Sequence, residues 1–274
     1  MKINNFLKII MKIAILGAGN LGISIANGLL TNNMITKLYL TKRKTSTLEK
    51  WKNIPEIIIS SNNIEAVECS DIIILCVQPS QFNKISNEIT EYLNNRHTII
   101  STITGLSLNV LEKAFGKEKH IVRSMPNTAI SVGQSTTCLC SNDTGKSRLE
   151  LAESIFNNLG KSFIINEKNM QAATVLCASG IAFWMRLIRS TAQGGVQLGF
   201  ESKEALKMSI ATASGAISLL VNNKSHPEEE IDKVTTPNGC TIKGLIEMEH
   251  QGLSSALISG LVSSFEKINK ISIK

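Results

Sequence analysis

Short runs of Ile, Leu and Val recur along the first 165 residues, separated by stretches in which apolar positions return every three or four residues. The short runs predict β-strands and the longer period predicts amphipathic helices. Strands are expected at Lys12–Leu16, Lys37–Leu40, Glu56–Ser60, Asp71–Val77, Thr98–Thr102, His120–Ser124, Ser135–Cys140 and Lys161–Ile165. Helices are expected at Leu21–Leu30, Ser46–Trp51, Ser80–Leu93 and Lys146–Leu159. Ile72-Ile-Ile-Leu-Cys-Val77 is apolar throughout, which marks a strand covered on both faces. Strands that alternate with helices predict a parallel, doubly wound α/β sheet. Beyond Asn166 strand signals nearly vanish. Residues 167–198, Ser202–Val221 and Ile242–His250 read as helices, and a last one carries an apolar stripe of Leu253, Leu257, Leu261, Phe265 and Ile268. The chain therefore divides into an α/β part at 11–165 and an all-α part at 166–274, with residues 1–10 a disordered tail or a mis-assigned start.

The first strand runs straight into Leu16-Gly17-Ala18-Gly19-Asn20-Leu21-Gly22, with a helical pattern directly after it. Gly-x-Gly-x-x-Gly between strand and helix predicts a dinucleotide-binding turn. Gly17 permits the tight turn, Gly19 lets a pyrophosphate approach the backbone, and Gly22 lets helix and strand pack closely. The helix N-terminus then offers open N–H groups and a positive dipole end to the phosphates. A Rossmann-like N-terminal sheet follows from that context. The second strand ends in Thr41-Lys42-Arg43-Lys44, with no acid to bind ribose hydroxyls. Charge-assisted bonds from Lys42 and Arg43 to a 2′-phosphate predict NADP(H), with NAD(H) as the second choice.

Composition narrows the remaining classes. The net charge of +7 comes from scattered lysines, and two Trp with two Tyr offer little for base stacking, so nucleic acid is not an expected partner. The six cysteines show no metal-ligand spacing and predict free thiols in a reducing cytoplasm. No metal site is expected. No segment has an uninterrupted apolar run of bilayer-crossing length, and residues 1–10 make a poor signal peptide. The histidines (His97, His120, His226, His250) form no triad or ligand pattern. Small residues in Ile210–Ala216 suit close helix approach, either between two copies or within one chain.

Several later motifs share one wording. They are Val77-Gln78-Pro79, Ser101-Thr-Ile-Thr-Gly105, Arg123-Ser-Met-Pro-Asn-Thr128, Ala178-Ser-Gly-Ile-Ala-Phe183 and Val234-Thr-Thr-Pro-Asn-Gly-Cys-Thr241. In order and spacing, from Met11 almost to the C-terminus, the chain resembles the pyrroline-5-carboxylate reductases. The resemblance implies an α/β N-terminal Rossmann-like doubly wound sheet followed by an all-α C-terminal dimerisation domain. It implies NADPH-dependent hydride transfer to 1-pyrroline-5-carboxylate giving L-proline, in a cytoplasmic homodimer or a larger assembly of dimers. It places Cys76, Val77, Gln78 and Pro79, with Met125, Pro126 and Asn127, near the nicotinamide end of the cofactor. Thr41 and Asn63 come near the adenosine ribose phosphate. In the Thr236–Thr241 turn, free N–H groups at a helix start, with the Thr236 hydroxyl, can hold a small carboxylate. Gly239 and Cys240 belong to the same substrate-binding turn. The resemblance gives Thr241 a hydrogen bond to the substrate ring nitrogen, whereas simple N-capping is the structural alternative.

The chain departs from the family pattern at Gln78, where lysine is usual, at Ile181 and Phe183, which replace a proline and a tyrosine, and at Asn238. Two other functions keep the fold: a reductase of a related cyclic imine, and a non-catalytic NADP-binding regulatory paralogue. Thr236, Gly239 and Thr241, kept together with the glycine turn, favour an enzyme.

Overall fold

The computed structural model describes residues 11–32 and 35–271, so the expectation for residues 1–10 lies outside the described residues. Its elements are β1 (Met11–Leu16), α1 (Asn20–Thr31), β2 (Ile35–Thr41), β3 (Ile57–Ser60), α2 (Asn63–Glu68), β4 (Ile72–Leu75), α3 (Phe82–Ile89), β5 (Thr98–Ser101), α4 (Leu108–Phe115), β6 (His120–Met125), β7 (Ser135–Ser141), α5 (Leu149–Asn157) and β8 (Gly160–Ile164). The helices α6 (Met170–Ala173), α7 (Gly180–Gln197), α8 (Ser202–Asn223), α9 (Pro227–Val234), α10 (Cys240–His250) and α11 (Leu253–Ile271) follow.

The eight strands form one sheet in the order β3-β2-β1-β4-β5-β6-β7-β8. All neighbours are parallel except β6 and β7. That exception departs from the all-parallel expectation, and the connection explains it. Only a loop with a 3-10 turn (Thr128–Val132) joins β6 to β7, too little chain for the crossover a parallel pair requires. The helix α5 supplies such a crossover before β8, which is parallel to β7.

Alternate strand residues enter two cores, one on each face of the sheet. Ile13, Ile15, Leu38, Leu40, Ile72 and Ile74 pack on one face with Ile25 and Leu29 of α1 and Phe156 of α5. Ala14, Leu16, Ile73, Leu75, Ile99 and Ile121 pack on the other with Phe82 of α3 and Phe115 of α4, whose rings meet edge to face at 5.8 Å. Every residue of β4 is buried, as a fully apolar strand demands.

The chain packs as two compact units. One runs to Ala178 and takes in the residues from Phe265 on; the other is Ser179–Ser264. Strands end near residue 165, yet packing divides the chain later, because Met170 and Val175 are buried and Met170 joins the second core. Glu167 is held there too. Its carboxylate pairs with buried Arg123 at 2.8 Å and accepts the Leu108 N–H. The helical stretch after Asn166 is not one continuous α-helix. It passes through α6 and a π-helical turn (Thr174–Ser179) before α7.

In the second unit α7 and α8 pack together, with a Cβ added at Gly195 3.0 Å from that of Ala205. Much of the apolar surface here is exposed, including Trp184, Leu198, Ile210 and Ile217. Two helical stretches, Glu167–Gln197 and Ser202–Asn223, are long and apolar enough to cross a membrane by length and composition. Interspersed Gly, Ala, Ser and Thr broke the uninterrupted runs while leaving each stretch apolar on average.

Candidate active site

The carboxyl ends of β1, β2 and β4 open into a cleft of about 800 Å³. Its floor is the glycine turn. Gly17 has φ +97, and a Cβ there would stand 2.6 Å from Val77 Cγ1 and 2.8 Å from the Cys76 carbonyl. At Gly22 an added Cβ would stand 2.7 Å from the Gly17 carbonyl. Gly19 differs: a Cβ there meets nothing within 4 Å. Close packing thus accounts for two of the glycines, and open space at the third. Gly19 is also the N-cap of α1 and supplies no side-chain cap, so the first N–H groups of α1 lack one.

The end of β2 is tied to this turn. The Thr41 carbonyl accepts hydrogen bonds from Gly17 N and Ala18 N, and the Thr41 hydroxyl donates to Asn63 Oδ1 at 2.6 Å. Asn63 in turn donates through Nδ2 to Glu88 at 3.1 Å. Lys42, Arg43 and Lys44 line the cleft beside Thr41 and Asn63, and Lys84 joins them from α3. Cations therefore outnumber the one lining carboxylate, and the cleft suits a phosphorylated anion. Open space at Gly19, uncapped N–H groups and this excess of cations all fit a nucleotide with an added phosphate.

Cys76, Val77 and Gln78 form another wall. Burial pushes the Cys76 thiol up to about 12, opposed by the Thr102 hydroxyl that donates to its sulfur at 3.6 Å. Cys76 is thus a neutral thiol at physiological pH and no nucleophile.

Other expected cofactor residues lie outside the lining of this cleft. Leu16 and Ala18 have fully buried side chains. Asn20, Leu21 and Gly22 form the first turn of α1, and Pro79 opens the 3-10 turn before α3. Met125 and Pro126 are buried at the end of β6. The Asn127 side chain is already engaged: its oxygen accepts from Ala129 N and its amide donates to the Cys177 carbonyl at 3.0 Å. Sequence reasoning missed Ser61, Ser80, Gln81, Lys84, Ile85 and Glu88, which also line the cleft. A signal for the last three exists in their helical spacing, which places 84, 85 and 88 on one face of α3.

The second unit contains the turn before α10, beside a cavity of about 930 Å³. Thr236, Gly239 and Asn238 line it, with Lys243 and Glu247 on the next turns of α10. Asn238 takes the left-handed conformation at φ 60, and Gly239 N donates back to the Thr236 carbonyl at 2.9 Å. Asn is among the residues that tolerate this conformation best, so the departure at 238 leaves the turn intact. Gly239 is the N-cap of α10 and gives it no side-chain cap. Thr241 sits one residue inside the helix, exposed, and makes no hydrogen bond through its hydroxyl among the described residues. N-capping is therefore not its role. Cys240 and Thr241 lie beside the cavity-lining residues without being among them. Among the described residues no three His, Cys, Asp or Glu side chains gather to hold a metal.

Comparison with known proteins covers both units. Residues 167–271 match the family model described as pyrroline-5-carboxylate reductase dimerisation, and residues 12–105 match NADP oxidoreductase, coenzyme F420-dependent. The pyrroline-5-carboxylate reductase 2 of Dictyostelium discoideum is 38% identical, over 94% of this chain and 92% of that protein. Pyrroline-5-carboxylate reductase 1 of the same organism is 44% identical over 93% of this chain. The chain spans about half the length of that second relative, 49%. Among solved structures, the Plasmodium falciparum pyrroline carboxylate reductase with NADP bound superposes with TM-score 0.85. It is 26% identical, over 96% of this chain and 98% of that one. The Coxiella burnetii pyrroline-5-carboxylate reductase gives TM-score 0.90 at the same identity, over 96% and 99% of the two chains.

Proposed function

Because the chain belongs to the pyrroline-5-carboxylate reductase family, we propose that it reduces 1-pyrroline-5-carboxylate to L-proline with NADPH. The observation that carries the cofactor half is the cleft that joins an open Gly19 to Lys42, Arg43 and Lys44. The α1 N-terminus holds the pyrophosphate there, and the three cations, with the Asn63 amide that Thr41 helps to orient, hold the ribose 2′-phosphate. Cys76, Val77, Gln78 and Pro79, with Met125, Pro126 and Asn127, shape the nicotinamide end. When bound, NADPH supplies the hydride, and the imine carbon that accepts it becomes a saturated ring carbon.

The chain's own residues bind, orient and exclude water, since a protonated imine is already electrophilic. We assign the substrate to the Thr236–Thr241 turn. Backbone N–H groups at the start of α10 and the Thr236 hydroxyl hold the carboxylate, with Gly239 and Cys240 forming the turn. The Thr241 hydroxyl, free of any capping duty, hydrogen-bonds the ring nitrogen. Neutral Cys76 takes no proton.

A homodimer completes this reading. The exposed apolar residues of α7, α8 and α11 lie in the stretch that matches a dimerisation family, and a second copy rather than a bilayer covers them. Small residues such as Ala211, Ala213 and Gly215 on α8 let the helices approach closely. Free cysteines, among them Cys138 and Cys177 with sulfurs 3.9 Å apart, suit a reducing cytoplasm. The direct test is loss of NADPH absorbance with 1-pyrroline-5-carboxylate as the only acceptor, beside rescue of a proline auxotroph. Binding of NADPH without its oxidation would favour the non-catalytic paralogue. Oxidation with a different cyclic imine alone would name another substrate.

A further inference from the structure

Glu88 lies on α3 and lines the cofactor cleft, where among the described residues its carboxylate is hydrogen-bonded to the side-chain amide of Asn63. We propose that Glu88 is a positioning residue for cofactor choice: its carboxylate fixes which way the Asn63 amide faces, and thereby the preference for a 2′-phosphate. This rests on the NADPH reading of the cleft.

The chemistry of the three partners makes Glu88 the deciding member. Asn63 bonds Thr41 through its oxygen and Glu88 through its nitrogen. A threonine hydroxyl can donate or accept, so Thr41 tolerates either orientation of the amide. An ionised carboxylate can only accept, so Glu88 tolerates one. With the amide reversed, its oxygen would face the carboxylate, acceptor against acceptor. Thr41 is then committed as a donor to Asn63 Oδ1, and Asn63 keeps one further N–H on a residue that lines the cleft. That donor suits a phosphate oxygen, which cannot itself donate when fully ionised.

Capping does not compete for Asn63. The neighbouring Asn62 caps α2, accepting from Ile64 N at 3.0 Å and Glu65 N at 3.2 Å. Nor is Glu88 neutralised by another side chain, because among the described residues it forms no ion pair with Lys84 or any other cation. A lone carboxylate in a cleft of cations costs some phosphate affinity by repulsion. Its hydrogen bond to Asn63 is the reason to keep it there.

Two substitutions separate the charge from the acceptor. Glu88→Ala removes both, whereas Glu88→Gln removes the charge and keeps an acceptor, but its amide also donates and so tolerates either orientation of Asn63. Dissociation constants for NADPH, NADH and 2′,5′-ADP are measured by calorimetry, with the melting temperature of the ligand-free protein. Glu88→Ala should weaken NADPH and 2′,5′-ADP on the order of tenfold, the size of one lost charge-assisted hydrogen bond. NADH should change less than about twofold, and Glu88→Gln should weaken NADPH by more than about twofold but by less than Glu88→Ala does, because the amide direction is no longer fixed. In turnover, the loss should fall on KM for NADPH and not on kcat. Equal weakening of NADPH and NADH, or a fall in melting temperature that accounts for both, would make Glu88 a purely structural residue and overturn the assignment. Unchanged NADPH binding in Glu88→Ala would overturn it as well. An unsubstituted protein that binds NADH as tightly as NADPH would instead sink the phosphate reading of the whole cleft, and Glu88 with it.

Discussion

Alanine at Gly17 and at Gly19 separates what the turn needs to fold from what it needs to hold a phosphate. At Gly17 the added Cβ would stand 2.6 Å from Val77 Cγ1 and 2.8 Å from the Cys76 carbonyl, on a backbone with φ +97. The left-handed conformation costs an L-residue about 1–2 kcal/mol. Overlap with main chain adds about 1–3 kcal/mol. Together these give about 2–5 kcal/mol, or a fall in Tm of roughly 4–20 °C for a chain of this size. At Gly19 φ is −85 and the new methyl meets no protein atom within 4 Å. Alanine is a poorer N-cap than glycine, which costs about 0.5–1 kcal/mol and no more than about 4 °C. The same methyl occupies the space that a pyrophosphate needs against the backbone. A crowding cost of about 1–3 kcal/mol in the bound state corresponds to roughly 5- to 150-fold weaker NADPH. Thermal melts of the ligand-free proteins and calorimetric titration with NADPH read the two effects separately. A Gly19→Ala protein that binds NADPH as tightly as the parent would refute the placement of the pyrophosphate on this turn. A Gly17→Ala protein with an unchanged Tm would refute the strain argument.

Arg43→Ala should weaken NADPH about tenfold while leaving NADH within about twofold, since it removes one charge-assisted contact to the 2′-phosphate; equal effects on both cofactors would place Arg43 in solvent. Thr241→Ala should raise KM for 1-pyrroline-5-carboxylate about fivefold to tenfold, the value of one hydrogen bond, with NADPH affinity and Tm little changed. An unmoved KM would leave its exposed hydroxyl without a role. Stability should fall as pH drops from about 7 to 5 because of His97, whose pKa burial lowers from the usual 6.5, with the charge of Arg96 adding to the effect. The sign follows from proton uptake: the unfolded chain binds a proton near 6.5, while the folded one resists it, so acid favours unfolding. Nδ1 has no free lone pair for a proton while it accepts from Asn94 N at 2.9 Å, and the Nε2–H bond to the Val67 carbonyl opposes the burial effect without cancelling it. Melting curves across that range should slope in the parent and flatten in His97→Gln; parallel slopes would refute the assignment.

Features set by neighbouring residues along the chain were legible in the sequence. The glycine turn is one, because Gly17 and Gly22 answer to contacts within a single strand–turn–helix unit and the adjoining β4. Strand positions are another, since alternation of apolar residues follows directly from which face each side chain meets. The short helices α2 and α4 escaped because six and eight residues barely complete two turns and show little periodicity. The antiparallel β7 escaped because apolar alternation says nothing of strand direction, which the short loop after β6 decides. The helix start at Cys240 was misjudged by two residues, enough to make Thr241 look like a cap when Gly239 holds that position.

The site divides along the same line. Thr41, Lys42 and Arg43 follow a strand end and could be read in place. Lys84 and Glu88 depend on how α3 is turned over the sheet, which Phe82 and Ile89 settle by packing into the second core. Asn127 carries a motif whose wording implied a ligand. Its amide is bound to the Cys177 carbonyl, fifty residues on, in a π-helical turn whose i→i+5 pattern no local sequence rule foretells. If Asn127 shapes the nicotinamide end, it does so by holding that turn in place, and its substitution should act through the position of Cys177. The Thr41–Asn63–Glu88 chain joins the end of β2, the start of α2 and the face of α3. Its direction comes from one acceptor-only group among three partners. No periodicity encodes that choice, so the chemistry of cofactor preference became readable only once the three elements stood together.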